Sequence, residues 1–229
     1  MRGAIFDLDG TLADTAGDLL SAANAVLGPE GLPLLDPVAD KSYAGRGGRS
    51  MIRRSLVLAG RPEDGPEEVA LADRLYAPLL EAYRGCLADQ TRLFDGVFAC
   101  LDTLEAAGWR LGVCTNKPEA LAVPLLEQLD VAHRFGAILG ADTLPVRKPD
   151  PEHFHETCRR IGAVSARSVM IGDTWNDLET ARNAGVPCVL TAFGFAAEPL
   201  DVLAPEAVAH HYDEIPRLLE ALSPAPSSA

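Results

Sequence analysis

Short apolar runs bounded by Gly, Asp or Pro recur along the chain at residues 4–8, 111–115, 137–139, 169–171 and 188–190. Runs this short and this uniformly apolar predict strands buried on both faces, as in a parallel sheet. Helical patterns lie between them. Leu101 and Leu104 lead to a stop at Gly108, Leu121, Leu125, Leu126 and Leu129 share a face, and Leu178, Ala181 and Ala184 precede a stop at Gly185. Strand and helix in alternation predict an α/β fold with a doubly wound parallel sheet.

Residues 15–86 break that rhythm and read as helices only. Ala16, Leu19, Leu20, Ala23, Val26 and Leu27 make one apolar face, residues 51–59 make a second helix ended by Gly60, and Val69, Ala72, Leu75, Tyr76, Leu79, Leu80 and Tyr83 make a third. This predicts an all-helical domain (15–86) inserted into an α/β core formed by residues 1–14 and 87–222. Helices packed on one face of the sheet are the alternative. Residues 223–229 are rich in Ser, Pro and Ala and are expected to be disordered.

Composition narrows the function. With 229 residues and 48% hydrophobic content the chain can bury a sizeable core. A net charge of -13 argues against a nucleic-acid backbone as partner, since phosphate contacts need clustered Lys and Arg. No apolar run reaches membrane-spanning length, and the opening apolar stretch is too short for a secretory signal. The five cysteines, Cys86, Cys100, Cys114, Cys158 and Cys188, are scattered, which fits free thiols in a reducing, cytoplasmic setting.

Four predicted strands end in residues with chemistry. After the first come Asp7, Asp9, Gly10 and Thr11. Residues two apart on an extended chain face one side, so the two carboxylates converge, and Gly10 lets the backbone turn. Carboxylates held so close either share a proton or bind a cation. One can attack phosphorus while the other transfers protons, and a hard ion such as Mg²⁺ suits both the carboxylates and a phosphate. A turn that merely carries two Asp residues is the alternative. Gly172, Asp173, Thr174 and Asp177 follow the strand at 169–171 and would add metal-ligating carboxylates, or cap a helix. Thr115 and Asn116 offer neutral donors to phosphoryl oxygens at another strand end, though capping alone explains Thr115 as well, and Lys117 is expected to face solvent. Lys148, in Arg147-Lys148-Pro149-Asp150-Pro151, can offset charge on a nucleophile and a phosphoryl group, with a solvated loop lysine as the alternative. His153 and His155, two apart on a helix, make a poor metal pair.

Taken in order, Asp-x-Asp-x-Thr, a strand-end Thr, Lys-Pro and Gly-Asp-Thr-x-x-Asp resemble the haloacid dehalogenase superfamily of phosphohydrolases, in its subfamily with a helical cap that includes phosphoglycolate phosphatases. The resemblance covers nearly the whole chain. It implies a phosphoric monoester hydrolase in which Asp7 is the nucleophile and Asp9 the acid and base. Thr115 would hold a phosphoryl oxygen, and Lys148 would hold Asp7 and the phosphate. Mg²⁺ would be held by Asp7, the Asp9 carbonyl and Asp173, with Asp177 nearby. Gly10, Thr11, Asn116 and Arg46 are expected around the substrate. The expected partner is a small phosphorylated metabolite, 2-phosphoglycolate first, acted on by a monomer or homodimer. Arg46 among the glycines at 45–48 departs from the phosphoglycolate pattern and keeps other small sugar or acid phosphates open. A hexose phosphomutase, or an idle relative that only binds, are the alternatives.

Overall fold

The computed structural model describes residues 1–195 and 199–223, so most of the segment expected to be disordered lies outside the described residues. The chain divides into two compact units, one formed by residues 1–13 and 93 onward, the other by Asp14–Arg92.

The chain opens with strand β1 (Arg2–Phe6) and the short β2 (Ala13–Asp14). Helices α1 (Ala16–Leu27), α2 (Lys41–Ala44), α3 (Gly48–Leu58) and α4 (Pro66–Gly85) follow. They make up most of the second unit. Leu20, Ala23, Leu27, Met51, Ile52, Leu56, Ala72 and Leu79 are buried where α1, α3 and α4 pack together. Pro66 opens α4 at its first position, where no intrahelical N–H is needed.

The chain then runs through β3 (Arg92–Leu93), which pairs with β2, and into the α/β unit. Its elements are α5 (Val97–Ala106), β4 (Trp109–Cys114), α6 (Glu119–Gln128), β5 (Ala137–Leu139), α7 (Pro151–Arg160), β6 (Val169–Gly172), α8 (Trp175–Ala184), β7 (Cys188–Thr191), α9 (Leu200–Leu203), β8 (Ala207–Ala209) and α10 (Ile215–Leu222). Among the described residues the main sheet has six strands in the order β5-β4-β1-β6-β7-β8, paired in parallel. On one face Ile5, Met170, Cys188 and Leu190 pack with Phe154 and Cys158 of α7 and Leu178 and Ala181 of α8. Helices α5 and α10 pack on each other and on the sheet.

β1 lies at the centre of the sheet, with β4 on one side and β6 on the other. The chain moves outward to β5, then crosses back to β6, so the strand order reverses beside β1. In open α/β sheets such a reversal leaves a crevice beyond the carboxyl ends of the strands. β1 begins and ends two residues earlier than its apolar run suggests. The Leu8 carbonyl accepts the N–H groups of Leu12 (2.9 Å) and Ala13 (3.1 Å), which curls the chain immediately after the strand. Asp7 and Asp9 therefore lie beyond the strand rather than on it. The last strand, β8, is not apparent from the apolar pattern.

Candidate active site

The carboxyl ends of β4, β1 and β6 are adjacent, and each delivers a polar side chain to the same place. Asp7 follows β1, and its backbone N–H donates to the Ile171 carbonyl at 2.8 Å, locking it to the end of β6. Its Oδ1 accepts from the Leu8 N–H at 2.7 Å and from Lys148 Nζ at 2.9 Å. Lys148 is buried and also meets Asp177 Oδ1 at 2.6 Å. The loop that carries it is tied to the end of β4, because the Asn116 side-chain amide donates to the Lys148 carbonyl at 3.0 Å. Pro151 then starts α7 with Asp150 capping it, its carboxylate accepting from the Glu152 N–H. Arg147, one residue earlier, is exposed.

Asp173 is wholly buried. Its Oδ2 accepts from the Phe195 N–H at 2.6 Å and its Oδ1 from the Thr11 hydroxyl at 3.2 Å. The Thr11 hydroxyl is thus engaged within the acid cluster, and the side chain has no exposure. Gly10 turns the chain at φ 77°, and a Cβ there would collide with the Asp173 carboxylate. A Cβ at Gly172 would strike Asp177 in the same way. Asp177 Oδ2 accepts from the Thr174 N–H (3.1 Å) and the Thr174 hydroxyl (2.8 Å). The capping role and the site role that the sequence leaves as alternatives for Asp177 are both present, one on each carboxylate oxygen.

One carboxylate oxygen from each of Asp7, Asp173 and Asp177 lies within 4.8 Å of the others. Burial and the neighbouring carboxylates oppose the ionisation of Asp7 and Asp173. The Asp7 carboxyl is raised from 3.8 to about 7, chiefly by burial and against the pull of Lys148. Asp173 is raised well above the carboxylate range, again by burial first and then by Asp177 and Asp7. Burial would lower the Lys148 ammonium, but Asp177 and Asp7 outweigh it and keep the side chain charged. A single lysine does not neutralise three acids. The donor set is all oxygen, buried and anionic, which fits a small divalent cation and suits no neutral ligand as well.

The Asp9 carboxylate is not part of that trio. Its Oδ1 meets Lys117 Nζ at 2.7 Å. The sequence suggests a solvated Lys117, but the residue is buried, because the loop after β4 folds inward and its N–H bonds Thr115 Oγ1 at 3.2 Å. Thr115 is buried at the end of β4, and its N–H donates to the Leu139 carbonyl. Sequence reasoning also misses the Phe195 amide, since a backbone donor leaves no side-chain signature. Arg46 belongs to the helical unit, where it is exposed and lies 5.5 Å from the Tyr43 ring. Arg49, in the same unit, pairs with Asp73 at 2.6 Å and stacks on Tyr76.

Comparison with known proteins agrees with this geometry. The model of the haloacid dehalogenase-like hydrolase family matches residues 4–191. A phosphoglycolate phosphatase of Caulobacter vibrioides is 40% identical over 226 residues, covering 97% of this chain and 94% of its own. One from Agrobacterium fabrum is 41% identical over 220 residues, covering 96% and 93%. The crystal structure of a predicted phosphoglycolate phosphatase from Haemophilus somnus superposes with a TM-score of 0.82 at 27% identity, covering 94% of this chain and 96% of that one.

Proposed function

Because the chain belongs to the haloacid dehalogenase-like hydrolase family, we propose that it hydrolyses 2-phosphoglycolate or a closely similar small phosphate monoester through a phosphoryl group carried on Asp7. That it is a phosphoric monoester hydrolase follows from the family and the relatives together. The observation that carries the mechanism is the trio Asp7, Asp173 and Asp177 gathered with Lys148 at the ends of adjacent strands.

In the first half-reaction an Asp7 oxygen attacks phosphorus. Both hydrogen bonds described above end on Oδ1, which leaves Oδ2 to form the new P–O bond. As the ester P–O bond breaks, the departing oxygen takes a proton from Asp9. In the second half-reaction Asp9 removes a proton from water as the water attacks phosphorus. The Asp7–phosphorus bond then breaks, releasing inorganic phosphate and restoring the carboxylate. Lys148 offsets charge on Asp7 and on the phosphoryl oxygens, and Thr115 donates its hydroxyl to one of those oxygens. Asp7 and Asp173, with the Asp9 carbonyl and Asp177 close by, would hold Mg²⁺. Such an ion supplies positive charge to the phosphoryl group and lets the buried carboxyls ionise.

The helical unit acts as the cap that selects the substrate, with Arg46 the candidate partner for a substrate carboxylate. A reducing, cytoplasmic setting suits the five free cysteines, four of them buried. Among the described residues no helix is long and apolar enough to cross a membrane.

The test is a panel of phosphorylated metabolites assayed for phosphate release with and without Mg²⁺. Release from 2-phosphoglycolate that requires the metal is the expected result. Isomerisation of a hexose phosphate without phosphate release would overturn the reading in favour of a mutase.

A further inference from the structure

The two acids of the first motif are held by different means. Asp7 is fixed by a main-chain N–H and by Lys148. Asp9 lies just before the Gly10 turn, and its carboxylate Oδ1 meets Lys117 Nζ at 2.7 Å. The lysine side chain is 3% exposed and the Asp9 side chain 18% exposed, so the pair is largely withdrawn from water but open on the carboxylate side. Lys117 is itself well anchored. Its N–H bonds Thr115 Oγ1, its carbonyl accepts from the Ala141 N–H at 2.9 Å, and Pro118 follows. A charge-assisted hydrogen bond of this length restricts the rotation of the carboxyl it engages.

We propose that Lys117 is a positioning residue for the hydrolytic reaction, holding the Asp9 carboxyl in the orientation from which it exchanges protons with the ester oxygen and with water. This rests on the reading of Asp7 and Asp9 given above. Its consequence is specific. A proton donor matters for an ester whose alcohol leaves poorly and matters little for one whose alcohol leaves readily as an anion. Losing Lys117 should therefore mimic a partial loss of Asp9, and it should do so without weakening substrate binding.

The experiment compares 2-phosphoglycolate with p-nitrophenyl phosphate, using kcat/KM, which covers the steps through alcohol release. Lys117→Met, which keeps the stem and removes the charge, should lower kcat/KM on the alkyl ester by about 10²-fold and on the aryl ester by less than about threefold. KM should not rise for either, and it should fall wherever the second half-reaction limits turnover. In an Asp9→Asn background the same change should cost less than about twofold, because its partner is already gone. Lys117→Gln, which retains a donor, should lose about tenfold on the alkyl ester, and it serves as the measured variant if Lys117→Met does not fold. Equal losses on both esters, a raised KM, or an undiminished effect in the Asp9→Asn background would each overturn the proposal. Failure of the underlying reading would look different, as wild-type protein releasing no phosphate or Asp7→Asn retaining full turnover.

Discussion

Asp18 in the helical unit and Asp173 in the α/β unit are both fully buried, yet their surroundings differ in kind. Both Asp18 oxygens face donors. The Gln90 N–H lies 3.0 and 3.1 Å from them, and the Thr91 N–H (2.9 Å) and Thr91 hydroxyl (2.7 Å) bond Oδ2. This carboxylate pins the returning chain to α1, and its charge is matched by donors within its own unit. Asp173 takes two hydrogen bonds but stands within reach of two other carboxylates. A fold seeking stability alone would not bury three acids around one lysine, since the cost of desolvation is repaid only where donors or cations suffice. Local satisfaction marks the acid that holds the structure, and its deficit marks the acids kept for a cation and a phosphoryl group.

The contrast is tested first at its strongest point. Asp7→Asn keeps the shape of the side chain and removes the nucleophile, and it should lower turnover by more than about 10⁴-fold while the melting temperature holds or rises. A variant that loses activity only by unfolding would break the comparison. Asp9→Ala should lower steady-state turnover by about 10²–10³-fold, read as kcat on 2-phosphoglycolate.

Asp18→Ala should do the reverse. It strands the donors of Gln90 and Thr91, at a cost of about 3 kcal/mol. The melting temperature should fall by about 6–12 °C, with kcat of the folded enzyme within about twofold of wild type. A large kcat loss at unchanged stability would erase the distinction between the two kinds of buried acid.

A finer test uses pH. Asp7 and Asp173 have folded values raised above the ordinary carboxylate range, so without a cation their burial costs stability as pH rises above the ordinary carboxylate value, through about 7 for Asp7. A divalent ion must displace those protons. Mg²⁺ should therefore raise the melting temperature more at pH 8 than at pH 5.5, and Asp173→Asn should remove the difference. His153 supplies the smallest effect and has the opposite sign. Burial first and Lys148 second lower it from 6.5 to about 4, so the folded state holds it neutral. Its share of stability is complete above pH 6.5 and is lost as pH falls toward 4, at up to about 1.4 kcal/mol per pH unit. His153→Leu should flatten the acid limb of the stability curve, measured by urea titration at pH 5 and pH 7.

Much of the α/β unit was legible because buried parallel strands leave uniform apolar runs, and the residues following them fall at the sheet's crevice. That is why Asp7, Thr115, Lys148 and Asp173 could be named from local sequence; the fold brings Asp7 and Asp173 together with Lys148 against Asp7, and sets Thr115 at the end of the adjacent β4. Lys117 was not legible. A lysine between Asn and Pro reads as a solvated loop residue, and only the inward course of the loop brings it to Asp9. Phe195 contributes through its amide alone, so its side chain gives no clue. Thr11 was expected beside the substrate, but its position after the Gly10 turn directs the hydroxyl to Asp173. Strand β8 escaped notice because Ala207–Ala209 is short and only partly buried, whereas α10 shows Ile215, Leu218, Leu219 and Leu222 at helical spacing and was legible.

The most direct test of the account is to quench wild-type protein with acid during turnover of 2-phosphoglycolate in Mg²⁺ and map the phosphoryl group by peptide mass. The expected result is one phosphoryl group on the peptide containing Asp7, absent from Asp7→Asn and accumulating in Asp9→Ala. Turnover with the phosphoryl group found on another residue, or on none in any variant, would contradict it.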